Sequence, residues 1–312
     1  MENHTWEKTP EVFDVGEKET YPIMTINMNG KDQGKATADK RRKLIISTIK
    51  RSSSSVIFCQ ELPGKFEEEV VAKCGTDGNS YKFVRPKDIY SGNYNVAVMW
   101  RETDFQGKEV HLADSSLFKE IVERLIVKEK KFDVDVIRAT IRSAMVKLTS
   151  RRTGASFLAV SWHGPWEVNT ASGKTKLEVF YDLTRLLRVV CEKEELSSFI
   201  IGGDFNFNTR EVPQDRKKEY GVKISRYELC SRDEKRRGRS FVPYKDTFVF
   251  SVPKDKLPMT RNIRVSSVAP FKSENESGEN ALLDHVCVKG DLEVVWPYKR
   301  PSIKQERGKL EQ

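Results

Sequence analysis

Short apolar runs, each closed by turn residues, recur along most of this chain and constrain its fold more than any other feature. They are Ile23-Met24-Thr25-Ile26, Val56-Ile57-Phe58-Cys59, Val96-Ala97-Val98-Met99-Trp100, Ala144-Met145-Val146-Lys147-Leu148, Phe157-Leu158-Ala159-Val160, Phe199-Ile200-Ile201 and 282–288. Runs this short, without helical spacing, read as buried strands. Helical segments separate some of them. In 38–51, Leu44, Ile45, Thr48 and Ile49 share one face, while Lys40, Arg41, Arg42 and Lys43 read as a solvated face. In 176–192, Leu177, Phe180, Leu183, Leu187 and Val190 return at helical spacing. Segments 142–148 and 155–161 read as a hairpin joined through 150–154. The mixture predicts an α/β chain of layered sheets flanked by helices, in one domain over 21–296. A polar arm (1–20) and a polar tail (297–312) flank it. The charged stretch 207–240 and the polar stretch 270–280 read as insertions or loops. No internal repeat is present.

Composition narrows the partners. Lys and Arg number 55 against 46 Asp and Glu, a net charge of +9. That surplus suits nucleic acid, phospholipid headgroups or phosphorylated substrates, and serves solubility equally well. No apolar stretch is long enough to predict a transmembrane segment, and the first residues do not resemble a signal peptide, so an intracellular protein of cytoplasm or nucleus is expected. The 5 cysteines form no Cys-x-x-Cys pair, which argues against a zinc site or a disulfide framework. Cys59, Cys191 and Cys287 lie in apolar runs and read as buried free thiols. The basic run around Arg236 and Arg237, with Phe241 and Tyr244 nearby, is a candidate for gripping a phosphate backbone and stacking a base. A nuclear-localisation reading of it is also open.

Polar residues close nearly every buried run. Asn27 and Asn29 follow the first, Gln60 and Glu61 the second, His163 the fifth, and Asp204 and Asn206 follow Ile200-Ile201-Gly202-Gly203. Asp284 and His285 lie within the last. A carboxylate beside a core strand is costly unless paired or metal-bound, so these residues predict one cleft at one rim of the sheets. Carboxylate and amide oxygens without thiolates suit a hard cation, Mg²⁺ or Mn²⁺. Histidines and asparagines beside them can hold a phosphate and orient a water. Phosphate-binding Gly-rich loops and the Gly-x-Ser-x-Gly elbow are absent from the sequence.

In this order the motifs resemble the endonuclease/exonuclease/phosphatase superfamily. The likeness runs through Ile26-Asn27-Met28-Asn29-Gly30, the basic helix with Val56-Ile57-Phe58-Cys59-Gln60-Glu61, Asn95 to Trp100, Arg142, Ser161-Trp162-His163 and Ile201-Gly202-Gly203-Asp204-Phe205-Asn206. The resemblance implies a four-layer α/β sandwich, Mg²⁺ dependence and phosphoester hydrolysis. It implies Glu61 as the principal metal ligand, with Asn27 near metal and phosphate and Asp284 beside them. Asp204 would activate the attacking water, Asn206 would orient it, and His163 would bind a phosphate oxygen. Asn29 and Arg142 would help hold the substrate.

The family ends with an Asp on a late strand and then an Asp-His pair, whereas this chain has one pair, Asp284-His285. In one reading that segment is the late Asp strand, His285 only fills an aromatic position, and the terminal pair is missing. In the other, Asp284 and His285 are the catalytic pair. Asp246, in Tyr244-Lys245-Asp246-Thr247-Phe248, resembles a supporting structural residue more than a ligand. The functions expected are a nuclease, a phosphatase or phosphodiesterase for a small or lipid phosphate, or a non-catalytic protein of the same fold.

Overall fold

The structure, a computed structural model, describes residues 18–28, 35–63, 66–75, 80–86, 95–110, 142–165, 175–227, 244–252, 262–271, 285 and 287–295. Two six-stranded mixed sheets pack face to face. The first holds β1 (Lys18–Asn27), β2 (Val56–Gln60), β3 (Tyr81–Val84), β4 (Ala97–Arg101), β11 (Asn262–Pro270) and β12 (Val288–Val295), in the order β11-β12-β1-β2-β4-β3. The second holds β5 (Phe105–Glu109), β6 (Ser143–Ser150), β7 (Ser156–His163), β8 (Phe199–Asp204), β9 (Val222–Ile224) and β10 (Asp246–Ser251), in the order β5-β6-β7-β8-β10-β9.

Period-two alternation explains why the apolar runs are continuous. On β2, Val56 and Phe58 face the other sheet while Ile57 and Cys59 face outward. On β7, Phe157 and Ala159 face inward while Leu158 and Val160 face outward. Both faces are covered, so neither can be polar. Helix α1 (Lys35–Ser52) covers the first sheet through Leu44, Ile45 and Ile49, joined by Phe66 and Val70 of α2 (Phe66–Cys74). Helix α3 (Lys176–Lys193) covers the second through Phe180, Leu183, Leu187 and Val190. Its start is fixed by a capping box between Thr175 and Glu178. The result is the four-layer α/β sandwich that the family resemblance implies.

Each sheet holds one parallel pair at its centre, β1 with β2 and β7 with β8. Between the pairs, one layer beneath the rim, lies a buried polar bridge. Gln60 Nε2 donates to Ser161 Oγ (3.0 Å) and to the Gly202 carbonyl (3.4 Å), and Ser161 Oγ donates to the Cys59 carbonyl (2.8 Å). At the opposite end, buried Glu19 accepts from Tyr21, Ser150 and Thr153 and pairs with Arg152.

Several expectations change. Segment 282–288 is not a strand over its described part: His285 sits in a bend and the strand begins at Val288. The signal lay further on, where Val288, Gly290, Leu292 and Val294 are buried in alternation. The stretch 207–240 is not all loop. It holds a 3-10 turn (Thr209–Glu211), helix α4 (Gln214–Glu219) and β9, with Val212, Tyr220 and Val222 anchoring it in the core. The arm gives way to β1 at Lys18, where charged and apolar residues alternate. On α1, Lys40 and Lys43 are exposed, but Arg41 is buried and Arg42 pairs with Glu69 at 3.2 Å. Cys59, Cys74, Cys191 and Cys287 are buried free thiols. Among the described residues no helix is long and apolar enough to cross a membrane.

The two glycines ahead of Asp204 are dictated by close approach. A Cβ at Gly202 would enter the Phe58 ring of the facing sheet, and one at Gly203 would meet the Trp162 carbonyl. Gly202→Ala should therefore overpack the sheet interface and lower unfolding free energy by about 1–3 kcal/mol, read from its urea midpoint. A variant as stable as wild type would mean that the sheets do not approach this closely.

Candidate active site

The parallel pairs end at the same rim. On the first sheet Asn27 stands opposite Gln60, with Glu61 next along the chain; on the second His163 stands opposite Asp204. Because β10 runs antiparallel to β8, its first residue, Asp246, stands opposite Asp204. His285 enters from the segment before β12.

Asp204 is the centre of the group and is buried. Its Oδ2 accepts from Asn27 Nδ2 at 3.2 Å and lies 3.5 Å from His285 Nδ1, 3.7 Å from His163 Nε2 and 3.9 Å from Lys245 Nζ. Its Oδ1 accepts from the Asn206 amide at 2.9 Å. Asn27 Nδ2 also lies 3.3 Å from Glu61 Oε1 and 3.2 Å from His285 Nε2. Glu61 Oε1 is 3.7 Å from His163 Nε2. Asn206 Nδ2 donates to the Gly164 carbonyl (2.9 Å), which also accepts from Arg142 (3.2 Å). The Lys176 ammonium donates to the Asn206 carbonyl at 2.8 Å. Glu61 (φ 50°) and Asn206 (φ 56°) both hold left-handed backbone. Such conformations are costly for residues with a Cβ and persist where the surrounding structure fixes them.

The structure thus brings together Asn27, Glu61, Arg142, His163, Asp204, Asn206 and His285. Asn29, Arg236, Arg237 and Asp284 lie outside the described residues. Two residues enter the group that sequence reasoning did not place there. Asp246 accepts from His285 Nδ1 at 3.0 Å, so His285 is one half of a carboxylate–imidazole pair and does more than fill an aromatic position. Lys245 Nζ lies 3.1 Å from His285 Nε2. The available signal was an acidic residue opening an apolar run, Asp246-Thr247-Phe248-Val249-Phe250.

The two histidines are tuned in opposite directions. Burial drives His163 down to about 3, against the pull of Asp204, so it is neutral at pH 7. Its Nδ1 faces the Arg142 guanidinium at 3.5 Å, which leaves the proton on Nε2, aimed at the carboxylates. Burial also works to lower His285, but the Asp246 and Asp204 carboxylates and the Asp246 hydrogen bond outweigh it and raise the ring to about 9. Lys245 opposes that rise.

A divalent cation fits this donor set. Two carboxylates, Glu61 and Asp204, converge on one amide nitrogen and one imidazole, and like charges so placed favour a bound cation. Glu61, Asp204 and the Asn27 amide offer hard oxygen donors. Asp204, Asp246 and His285 also offer ligand atoms within 4.8 Å of one another, but Asp246 and His285 are already bonded to each other.

The opposed histidines imply a two-sided pH dependence of stability in metal-free buffer. His285, raised above its unfolded value near 6.5, stabilises fully below that value and ceases to do so as pH rises through about 9. His163, lowered, stabilises fully above 6.5 and ceases to do so as pH falls towards about 3. Urea midpoints should peak near neutrality. Asp246→Asn should flatten the alkaline limb and His163→Gln the acid limb. Limbs unchanged in both variants would contradict these protonation states.

No family model matches the sequence, and no curated protein matches it. Solved structures do. An endonuclease/exonuclease/phosphatase of Bacteroides vulgatus is similar at TM-score 0.59 and 14% identity, over 88% of this chain and 99% of its own. A mannosyl-6-phosphatase of Bacteroides thetaiotaomicron is similar at 0.57 and 15%, over 87% and 99%. D. rerio TDP2 complexed with a single-strand DNA product is similar at 0.51 and 14%, over 88% and 98%. With its two six-stranded sheets and flanking helices, this chain has the fold of the endonuclease/exonuclease/phosphatase superfamily.

Proposed function

We propose that the protein is a metal-dependent phosphoesterase that hydrolyses phosphodiester bonds in nucleic acid, using Mg²⁺ or Mn²⁺. The observation that carries this reading is the convergence of Asn27, Glu61, His163, Asp204 and His285, from separate segments, around one buried carboxylate.

Glu61 and Asn27 would hold the cation, with Asp284, next to His285 in the sequence, as a further candidate ligand. The chemistry a cation would supply there is neutralisation of phosphate charge and a lowered pKa of a coordinated water. His163, neutral with its proton on Nε2, donates to a phosphate oxygen. Asp204 orients the attacking water and accepts its proton, and Asn206, fixed by Gly164 and Lys176, aligns the water and the phosphate. The His285 imidazole, held by Asp246, and the Lys245 ammonium stabilise negative charge developing on the phosphoryl group. The chain's surplus of positive charge and its likeness to a TDP2 bound to single-strand DNA support a nucleic-acid substrate. The hydrogen bond between His285 and Asp246 supports a catalytic reading over a non-catalytic protein of the same fold.

The likeness to a mannosyl-6-phosphatase favours a second reading, a phosphatase for a small phosphate ester. Salt separates the two, since binding to a strand weakens steeply with salt and binding of a small ester much less.

The test is hydrolysis of single- and double-stranded DNA and RNA, bis-p-nitrophenyl phosphate and small phosphomonoesters, with Mg²⁺, Mn²⁺ or EDTA. Cleavage of nucleic acid that needs metal is expected. Glu61→Gln and Asp204→Asn should each lower kcat by about 10²–10⁴-fold. Metal-dependent turnover confined to phosphomonoesters would select the second reading. No turnover of any ester, or full activity in both variants, would overturn both.

A further inference from the structure

Beyond the strand ends that form the site, positive charge collects in a place the proposed chemistry does not use. A cavity of about 550 Å³ opens beside edge strand β9, lined in part by Thr209, Arg210, Lys217, Ser225, Arg226 and Tyr227. Among the described residues, all its charged lining residues are basic. Lys217 is half-buried, Arg226 is exposed, and among the described residues neither has an acidic ion-pair partner. Burial and then the neighbouring Arg226 cation lower the Lys217 ammonium. An anion between them would relieve that repulsion.

The cavity continues the catalytic rim. The Tyr227 hydroxyl donates to the Asp246 carbonyl at 2.7 Å, and the Thr209 hydroxyl donates to the Tyr244 carbonyl at 2.7 Å, one residue before Lys245. The Arg210 guanidinium lies 3.5 Å from the Tyr244 ring centroid and donates to the Tyr227 carbonyl, so its planar fork is fixed at the cavity wall. Forked guanidinium groups beside an ammonium match the oxygens of a phosphate. The walls are bonded to the strand that supplies Asp246 and to the turn before it, which ties the cavity to the same rim as the site.

We propose that this cavity is a phosphate subsite that holds the backbone of a nucleic-acid strand away from the bond being cleaved. The assignment rests on the nucleic-acid reading above and adds where the strand runs: from Asp204 past Tyr244 towards β9 and α4. It predicts a preference for strands long enough to reach both places.

The experiment is fluorescence anisotropy of a long labelled single strand in EDTA, where nothing is cleaved, over a range of salt. Lys217→Glu with Arg226→Glu reverses the cavity; Lys218→Glu with Lys223→Glu makes the same change of net charge at exposed lysines of α4 and β9. The cavity pair should weaken binding about tenfold or more and flatten the salt slope by about 1.4, the value for two lost single-strand phosphate contacts. The control pair should stay near wild type. A milder Lys217→Gln with Arg226→Gln pair, checked by thermal melting, guards against misfolding and should weaken binding in the same direction. Equal losses in cavity and control pairs, or none in either cavity pair, would overturn the subsite. A dinucleotide or inorganic phosphate competing as well as the long strand would overturn its assignment to a strand. Wild-type binding through the cavity without cleavage under any divalent ion would sink the hydrolase reading and leave the subsite standing. Cleavage with cavity variants that bind like the control would do the reverse.

Discussion

The site is organised around one buried anion. Asp204 ends a central strand where almost no water reaches it, and a lone carboxylate there would be expensive. Its neighbours answer that cost: the Asn27 amide, the Asn206 backbone N–H, two imidazoles and the Lys245 ammonium all surround it. They come from both sheets. A hydrogen bond from Asn27 to Asp204 therefore ties one sheet to the other at the rim, above the bridge that Gln60 makes to Ser161 and Gly202. Satisfying the anion and joining the layers are one structural event.

Sheet direction decides which residues can share in it. Parallel pairs present their last residues to a common edge, so Asn27, Gln60, His163 and Asp204 arrive together. An antiparallel neighbour presents its first residue there, so Asp246 arrives from the start of β10. The same geometry separates the two histidines. His163 lies next to Arg142 and stays neutral, while His285 lies against Asp246 and is held towards its cationic form. One imidazole is an uncharged hydrogen-bonding group and the other is held towards its charged form, within a few ångströms of the same carboxylate.

Much of this was legible from residue order. Apolar runs buried on both faces need no polar alternation, and those from 23–26 to 199–201 all fall on strands. Polar residues closing them marked Asn27, Glu61, His163, Asp204 and Asn206. Asp246 reads in the sequence as a structural support, because polar residues at strand ends mark the rim, and in an antiparallel neighbour the rim residue is at the start. Lys245 precedes it in a turn with no periodic signal. The strand at 288–295 escaped because Lys289, Asp291 and Glu293 interrupt its apolar positions, a pattern that marks a sheet with one face less covered. Arg41 was read as solvated because charge alone does not reveal which turn of α1 faces inward.

In the function proposed, Glu61 and Asn27 hold a hard cation beside the Asp204 carboxylate. The most direct measurement is anomalous diffraction from crystals soaked in Mn²⁺. The account predicts one strong peak at about 2.0–2.3 Å from a Glu61 carboxylate oxygen, the range for a small divalent cation, and its loss in Glu61→Gln crystals. No peak at the rim, or one seated on Asp246 and His285 that survives Glu61→Gln, would contradict it.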